Sequence, residues 1–318
     1  MATIDLRTEA VTVEALRGAV ARRRKEGVIR RLFQGAAALA LVINGAIVLT
    51  LIVGTADFVG EAIDQDLLGS LFSDVGWFPR RNAFDLRTIF LGTMIISLLA
   101  MLVATPLGLG AALYLSEFAR PRARRILKPI LEVLAGVPSV VLAYFAISFI
   151  SPNFVQAIFS GASFYNMAAA ALAVGILITP IVASVAEDAL HAVPLSLREA
   201  SYGLGARRRS TSTRVVFPAA VSGIVAALIL GLSRAIGETL IVTIAAGGTA
   251  GSDLTVDPLS PGTTMTAAMA SLATGSDQVK AAGPAFPSLF LVGLLLFLLT
   301  LGLNVASERF VRRVRQRY

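Results

Sequence analysis

Two charged residues interrupt an otherwise apolar stretch, in the segment Arg234-Ala-Ile-Gly-Glu238-Thr239. An arginine at the centre of a membrane helix costs about 2.5–3.5 kcal/mol on insertion scales. A spacing of four residues puts both side chains on one helix face, where they can pair and lower that cost. Two readings follow: a structural pair that holds two spans together, or a site on a polar pathway, the default for ionisable groups within a membrane. A guanidinium presents planar, paired donors that match carboxylate or phosphate oxygens, so the expected ligand is a small oxyanion. The carboxylate repels anions and needs its own account. Either Glu238 only orients Arg234, or it accepts a hydrogen bond from a protonated oxyanion; hydrogen phosphate carries an O–H and sulfate does not. Gly231 and Gly237 nearby permit close helix approach.

The elements that must position this pair are membrane spans. The 318 residues are 56% hydrophobic and 15% charged, with a mean hydropathy of +0.77. That composition excludes a disordered chain and argues against a soluble enzyme. At about 20 apolar residues per span, six candidates stand out, at 32–56, 88–115, 129–150, 167–186, 219–246 and 285–306. Pro106, Pro138 and Pro180 fall inside the second, third and fourth, where they are expected to kink helices that neighbours accommodate. The first span is not a cleaved leader: 31 residues precede it, and no small-residue cleavage site follows it.

Charge sets the orientation. Of 28 Lys and Arg, 23 lie in the N-terminal segment, the connections 116–128 and 187–218, and the tail; Arg80, Arg81, Arg87 and Lys280 lie in the other connections. The positive-inside rule then puts both termini in the cytoplasm, and the net charge of +8 is an orientation signal rather than a nucleic-acid footprint. On the outer side, Trp77-Phe78-Pro79 suits a membrane interface. The long connection 247–284 is read equally well as a binding element, a gate or a mobile loop. No internal repeat is visible, so the repeat-based transporter signature is missing.

Several chemistries are excluded. There is no Cys and one His, so thiolate sites and multi-histidine metal sites do not arise. None of Lys25, Lys128 and Lys280 follows Gly or precedes Ser or Thr, so the chain has no phosphate loop for ATP. Gly108-Leu109-Gly110 lies inside a span and lacks the strand–turn–helix context of a dinucleotide site. His191 is expected at a surface or an interface.

The connection 187–218 mixes apolar and charged residues, with short helical pieces expected on each side of Pro194, and suggests docking to a partner protein. It resembles the E-A-A loop of ABC-importer permeases: Glu199-Ala200-Ser201, three residues, Gly205, nine residues, Val215, one residue, Phe217, Pro218. The spacing agrees throughout, with Ser, Val and Phe in place of the usual Ala, Ile and Leu. The resemblance implies a coupling helix, carried by Glu199, Ala200, Ser201, Gly205 and Pro218, that sits in a groove of a separate ATPase subunit. A narrower resemblance covers most of 85–310. Ala104-Thr-Pro-Leu-Gly-Leu-Gly-Ala-Ala-Leu-Tyr-Leu-Ser-Glu117, Leu134-Ala-Gly-Val-Pro-Ser139, Ser184-Val-Ala-Glu-Asp188, Glu199-Ala-Ser-Tyr-Gly-Leu-Gly-Ala206 and Arg234-Ala-Ile-Gly-Glu-Thr239 are similar to the permeases of phosphate-specific ABC importers, the PstC/PstA family. The Tyr-Gly-Leu-Gly-Ala segment and the basic N-terminus look more like the PstC member.

What this implies is an all-α polytopic membrane protein with six transmembrane helices and an ABC-importer type I permease core, in the bacterial plasma (inner) membrane. The expected organisation is a basic cytoplasmic segment 1–31, a first helix and outer loop 32–84, a permease domain 85–310 containing the coupling loop 187–218, and a basic tail 311–318. The implied substrate pathway includes Arg234, Glu238 and Thr239, and no cofactor or metal is called for. The implied partners are a second permease of PstA type, a dimeric ATPase of PstB type, an extracytoplasmic binding protein of PstS type, inorganic phosphate and the lipid bilayer. The chain itself would be no enzyme, ATP being hydrolysed on the separate subunit. The competing readings are a permease for sulfate, molybdate or phosphonate, a proton- or sodium-driven transporter, and a membrane scaffold that signals phosphate status.

Overall fold

A computed structural model describes residues 20–73, 75–248, 251–274 and 283–314. Most of the basic N-terminal segment, Lys280, Arg315 and Arg317 lie outside them. Six helices among the described residues are long and apolar enough to cross a membrane, the number expected from hydropathy. The chain divides into two compact units, Met1–Thr50 and Leu51–Tyr318. Helix α1, Val20–Asp64, contains no proline.

The second unit is built round α2, Leu86–Leu113, and α5, Met167–His191, which pack along their length. Each begins at a side-chain cap: Asp85 accepts from the Arg87 N–H at 3.1 Å, and Asn166 accepts from the Ala169 N–H at 2.7 Å. Ala100, Ala104, Val174 and Ile178 are buried between them. In lipid no hydrophobic force draws helices together, so close approach of small residues carries the packing. A Cβ on Gly175 would stand 2.9 Å from the Ala100 carbonyl, and one on Gly108 2.8 Å from Val182. Pro106 and Pro180 lie inside α2 and α5, as their spans predict.

The third and fifth spans differ from expectation. Residues 121–134 form a separate helix, α3, Pro121–Leu134, with Ile126, Ile130 and Val133 exposed. The span proper starts at α4, Ser139–Phe145, and continues through a π-helical stretch, Ala146–Val155, and a last turn, Gln156–Ile158. Pro138 therefore starts a helix rather than kinking one. Apolar residues on both sides hid the break, because Ala135-Gly136-Val137-Pro138 joins the apolar end of α3 to the span.

After α5 come two short helices, α6, Leu195–Gly203, and α7, Arg208–Thr211. A π turn, Ser212–Val216, then leads into α8, Phe217–Ile236. The fifth span, expected as one helix to residue 246, stops there. Gly237 caps α8, and the chain restarts as α9, Leu240–Ala245. Beyond it lie α10, Met265–Ala273, and α11, Ser288–Val314.

The connections after α1 and after α9 are folded against one another. Strands β1, Trp77–Phe78, and β2, Ala83–Phe84, form an antiparallel hairpin with Trp77 opposite Phe84. Trp77 is buried, and Phe84 meets both Trp77 and Phe58 edge to face. Trp77 is thus packed within the protein, in one cluster with Phe58 and Phe84. Ser252, from the long connection, pairs with Trp77 as a further strand partner. That connection is thus anchored where it is described.

Candidate functional site

The break between α8 and α9 places the two charged residues. Arg234 is in the last turn of α8, and Glu238 lies past its end, so they do not share a helix face. They still meet: Arg234 Nη1 donates to Glu238 Oε2 at 2.8 Å. The other carboxylate oxygen, Oε1, accepts from the Ile241 N–H in the first turn of α9 at 3.4 Å. Both oxygens of Glu238 are thereby engaged, one by the end of the first helix and one by the start of the second. The Arg234 side chain is 42% exposed and that of Glu238 only 3%. The pair is asymmetric: a buried carboxylate holds a guanidinium whose remaining donors have no protein partner among the described residues. Thr239, within the break, turns its hydroxyl to the Gly237 carbonyl at 3.4 Å.

The second constellation lies at the other end of the bundle. Glu199, Ala200 and Ser201 are on α6, and Gly205 follows in the left-handed conformation, φ +79°, which glycine adopts without a Cβ clash. Pro218 sits in the first turn of α8, directly after the π turn Ser212–Val216 of the same continuous helix. Ser201 and Thr211 are joined through their hydroxyls at 2.8 Å, tying α6 to α7. Charged side chains that sequence reasoning noted without assigning partners hold this region in place. Arg198 donates to Glu117 Oε1 at 3.0 Å and to the Leu190 carbonyl at 2.8 Å, and it also reaches the Val193 carbonyl. Glu117, buried in the π-helical turn Tyr114–Phe118 that continues α2, also accepts from Ser212 at 3.2 Å. One arginine thus fastens the ends of α2 and α5 to the helix bearing Glu199.

A parallel set fastens α3. Glu187, fully buried, lies on α5 rather than in a loop, and pairs with Arg124 and with Lys128 at 2.7 Å. Lys128 also reaches Asp188 at 2.6 Å. Its hydrogen bonds to Asp188 and Glu187 hold the ammonium pKa above the ordinary lysine range, against a smaller opposing effect of burial. A raised lysine pKa stabilises the fold fully below the unfolded value and ceases to do so only as pH rises through the folded one. The clamp is therefore constant across the neutral range. His191 lies within 3.3 Å of Arg124, at an interface as expected. The missed signal was spacing: Arg124 and Lys128 stand four apart on one face of α3, opposite the adjacent acids Glu187-Asp188.

A helical bundle with six candidate spans, an Arg–Glu pair at a helix break and a braced platform of short helices at one end has the parts of a transmembrane transport subunit. The chain belongs to the family of binding-protein-dependent transport system inner membrane components, which it matches over residues 104–316. It is 30% identical over 259 residues to the phosphate transport system permease protein PstC of Pasteurella multocida, covering 76% of this chain and 79% of that one. It is 37% identical over 174 residues to the phosphate transport system permease protein PstA 1 of Mycobacterium tuberculosis, covering 54% of each. Among solved structures, a bacterial ABC transporter involved in the import of the acidic polysaccharide alginate aligns with a TM-score of 0.62 at 17% identity, over 92% of this chain and 100% of that one. The last similarity speaks to the fold: that of an ABC-importer permease.

Proposed function

We propose that this chain is the PstC-type permease of an ATP-driven importer of inorganic phosphate, and that Arg234 is the phosphate-facing residue of its pathway. The observation that carries this reading is the asymmetric pair at the α8–α9 break. Of the two roles open to Glu238, orienting Arg234 fits better, since both its oxygens are already engaged within the protein. The half-exposed guanidinium keeps free donors for an oxyanion, and Thr239 lies in the same helix break. Similarity to PstC over three quarters of the chain, against about half for PstA, supports the PstC assignment.

The remaining parts follow from this reading. A PstA-type permease completes the pathway, and a dimeric PstB-type ATPase engages Glu199, Ala200, Ser201, Gly205 and Pro218. A PstS-type binding protein delivers phosphate to the outer face. Both termini are cytoplasmic, the side on which 23 of the 28 Lys and Arg are found. Nucleotide-driven closure of the ATPase moves α6, and α6 is fastened by Arg198 to the ends of α2 and α5, so the motion reaches the spans as a rigid-body displacement. Phosphate is held weakly here, because tight binding to one state would trap the cycle in it.

The test is uptake of labelled phosphate in cells lacking their own high-affinity system and supplied with this chain and its partner subunits. Uptake is expected to require the ATPase subunit and to resist competition by excess sulfate. Uptake that survives loss of the ATPase, or that sulfate abolishes, would overturn the assignment.

A further inference from the structure

The long outer connection has one contact that its sequence did not suggest. Thr266, in the first turn of α10, donates its hydroxyl to the backbone carbonyl of Glu238 at 2.8 Å. That carbonyl lies in the α8–α9 break, where the regular helical ladder is interrupted. Both residues are buried, so a carbonyl deprived of this donor would have no water to turn to.

Proton bookkeeping makes the arrangement directional. A threonine hydroxyl has one proton, and Thr266 spends it on Glu238. The Thr264 hydroxyl, 3.0 Å from that of Thr266, must then donate to Thr266 while accepting from the Ala267 N–H at 3.2 Å. The result is a one-way chain from Thr264 to Thr266 to the Glu238 carbonyl, each bond polarising the next. The same turn is pinned to α2, where the Thr93 hydroxyl accepts from the Met265 N–H at 3.0 Å and donates to the Ile89 carbonyl at 2.6 Å.

Upstream, the connection is tied to the outer hairpin by two backbone bonds between Ser252 and Trp77, at 2.8 and 3.1 Å. Between these ends it is stitched to the start of α5: the Met167 N–H donates to the Ser260 carbonyl and that of Ala168 to the Pro258 carbonyl. A continuous, hydrogen-bonded segment therefore runs from the outer hairpin to the peptide that carries the Glu238 carboxylate.

We propose that Thr266 is a positioning residue for Glu238, and that residues 251–266 link the outer hairpin to the Arg234–Glu238 pair. The chemistry is that of orientation. The Thr266 bond fixes the Glu238 peptide, the peptide fixes the carboxylate, and the carboxylate aims the guanidinium. An event at the outer face that shifts Ser252 or α10 thus reaches Arg234 without touching it. This inference rests on the phosphate-pathway reading above, and the experiment separates the two.

The complete transporter is reconstituted in proteoliposomes with its ATPase, second permease and binding protein. Phosphate uptake is compared for wild type, Thr266→Val, Thr266→Ser and Arg234→Gln at equal abundance, over a range of binding-protein concentrations. Thr266→Val, which keeps the shape and removes the donor, is expected to lower the maximal rate about tenfold, the worth of one hydrogen bond. The half-saturating binding-protein concentration should change by less than about twofold, because the outer docking surface is intact. Thr266→Ser should restore the wild-type rate, a rescue that a purely packing role would not give. Wild-type rates in Thr266→Val with loss of uptake in Arg234→Gln would overturn this inference and leave the pathway reading standing. Full uptake in Arg234→Gln would overturn the pathway reading and this inference with it. A Thr266→Ser protein that fails as Thr266→Val does, whether in assembly or in rate, would also overturn it, since it retains the hydroxyl.

Discussion

At the scale of the residue, the Arg234–Glu238 pair divides its labour by exposure. Each oxygen of the buried carboxylate accepts from a protein donor, while the half-exposed guanidinium has donors to spare. Glu238→Gln keeps one oxygen acceptor and removes the charge. It should lower phosphate uptake by about tenfold, the loss of roughly one charge-assisted hydrogen bond, and leave the preference for phosphate over sulfate unchanged. Measuring both anions in the same vesicles decides the matter: a collapse of the preference would show that the carboxylate itself reads the substrate proton. The sequence singled out these two residues because charge is rare within apolar spans. The pairing expected from the four-residue spacing is present, although the regular helix ends at Ile236, before Glu238. Gly237 was the available signal, but glycine is common in membrane helices and does not by itself announce a break. Thr266 was invisible for a different reason: its partner is a backbone carbonyl 28 positions away, and no sequence pattern reports such a bond.

At the scale of the element, the short helix α6 owes its placement to one buried ion pair. Arg198→Met would leave Glu117 buried and unpaired, a cost of about 3–5 kcal/mol for such a defect. Thermal unfolding of the purified protein should show a clearly lowered Tm for Arg198→Met. Most of that loss should return in the double variant with Glu117→Leu, which removes the orphaned charge. Equal Tm values for wild type and Arg198→Met would mean the pair contributes nothing to holding α6. The spans were legible from hydropathy alone because length and composition suffice to define them in a bilayer. Their ends were less so. Helix α3 merged with the span after it, since amphipathic and buried helices share apolar content and only the Gly136 and Pro138 interruption separates them. The outer hairpin went unseen because two-residue strands carry no periodicity. The burial of Trp77 was not legible because its edge-to-face packing on Phe84 depends on that hairpin.

At the scale of the whole molecule, two sites at opposite ends of the same helices are each braced by named contacts. α8 carries Pro218 in its first turn and Arg234 in its last, and α5 packs against both α2 and α8. A displacement of α6 therefore has a structural route to the break, through helices packed too closely to deform independently. The outer connection supplies a second route from the opposite side, through α10. Legibility at this scale came from charge asymmetry and from the family-like motifs, both of which are distributed along the chain; the long-range hydrogen bonds that join the ends are not. The most direct measurement is labelled phosphate uptake by the complete reconstituted transporter with Arg234→Lys, at equal abundance and equal Tm. Lysine keeps the charge and can still pair with Glu238, but it lacks the planar fork that matches an oxyanion. The account predicts uptake reduced by about ten- to a hundredfold, the value of one charged hydrogen bond or somewhat more. Wild-type uptake in Arg234→Lys would contradict it, and would reduce the pair to a structural clasp between α8 and α9.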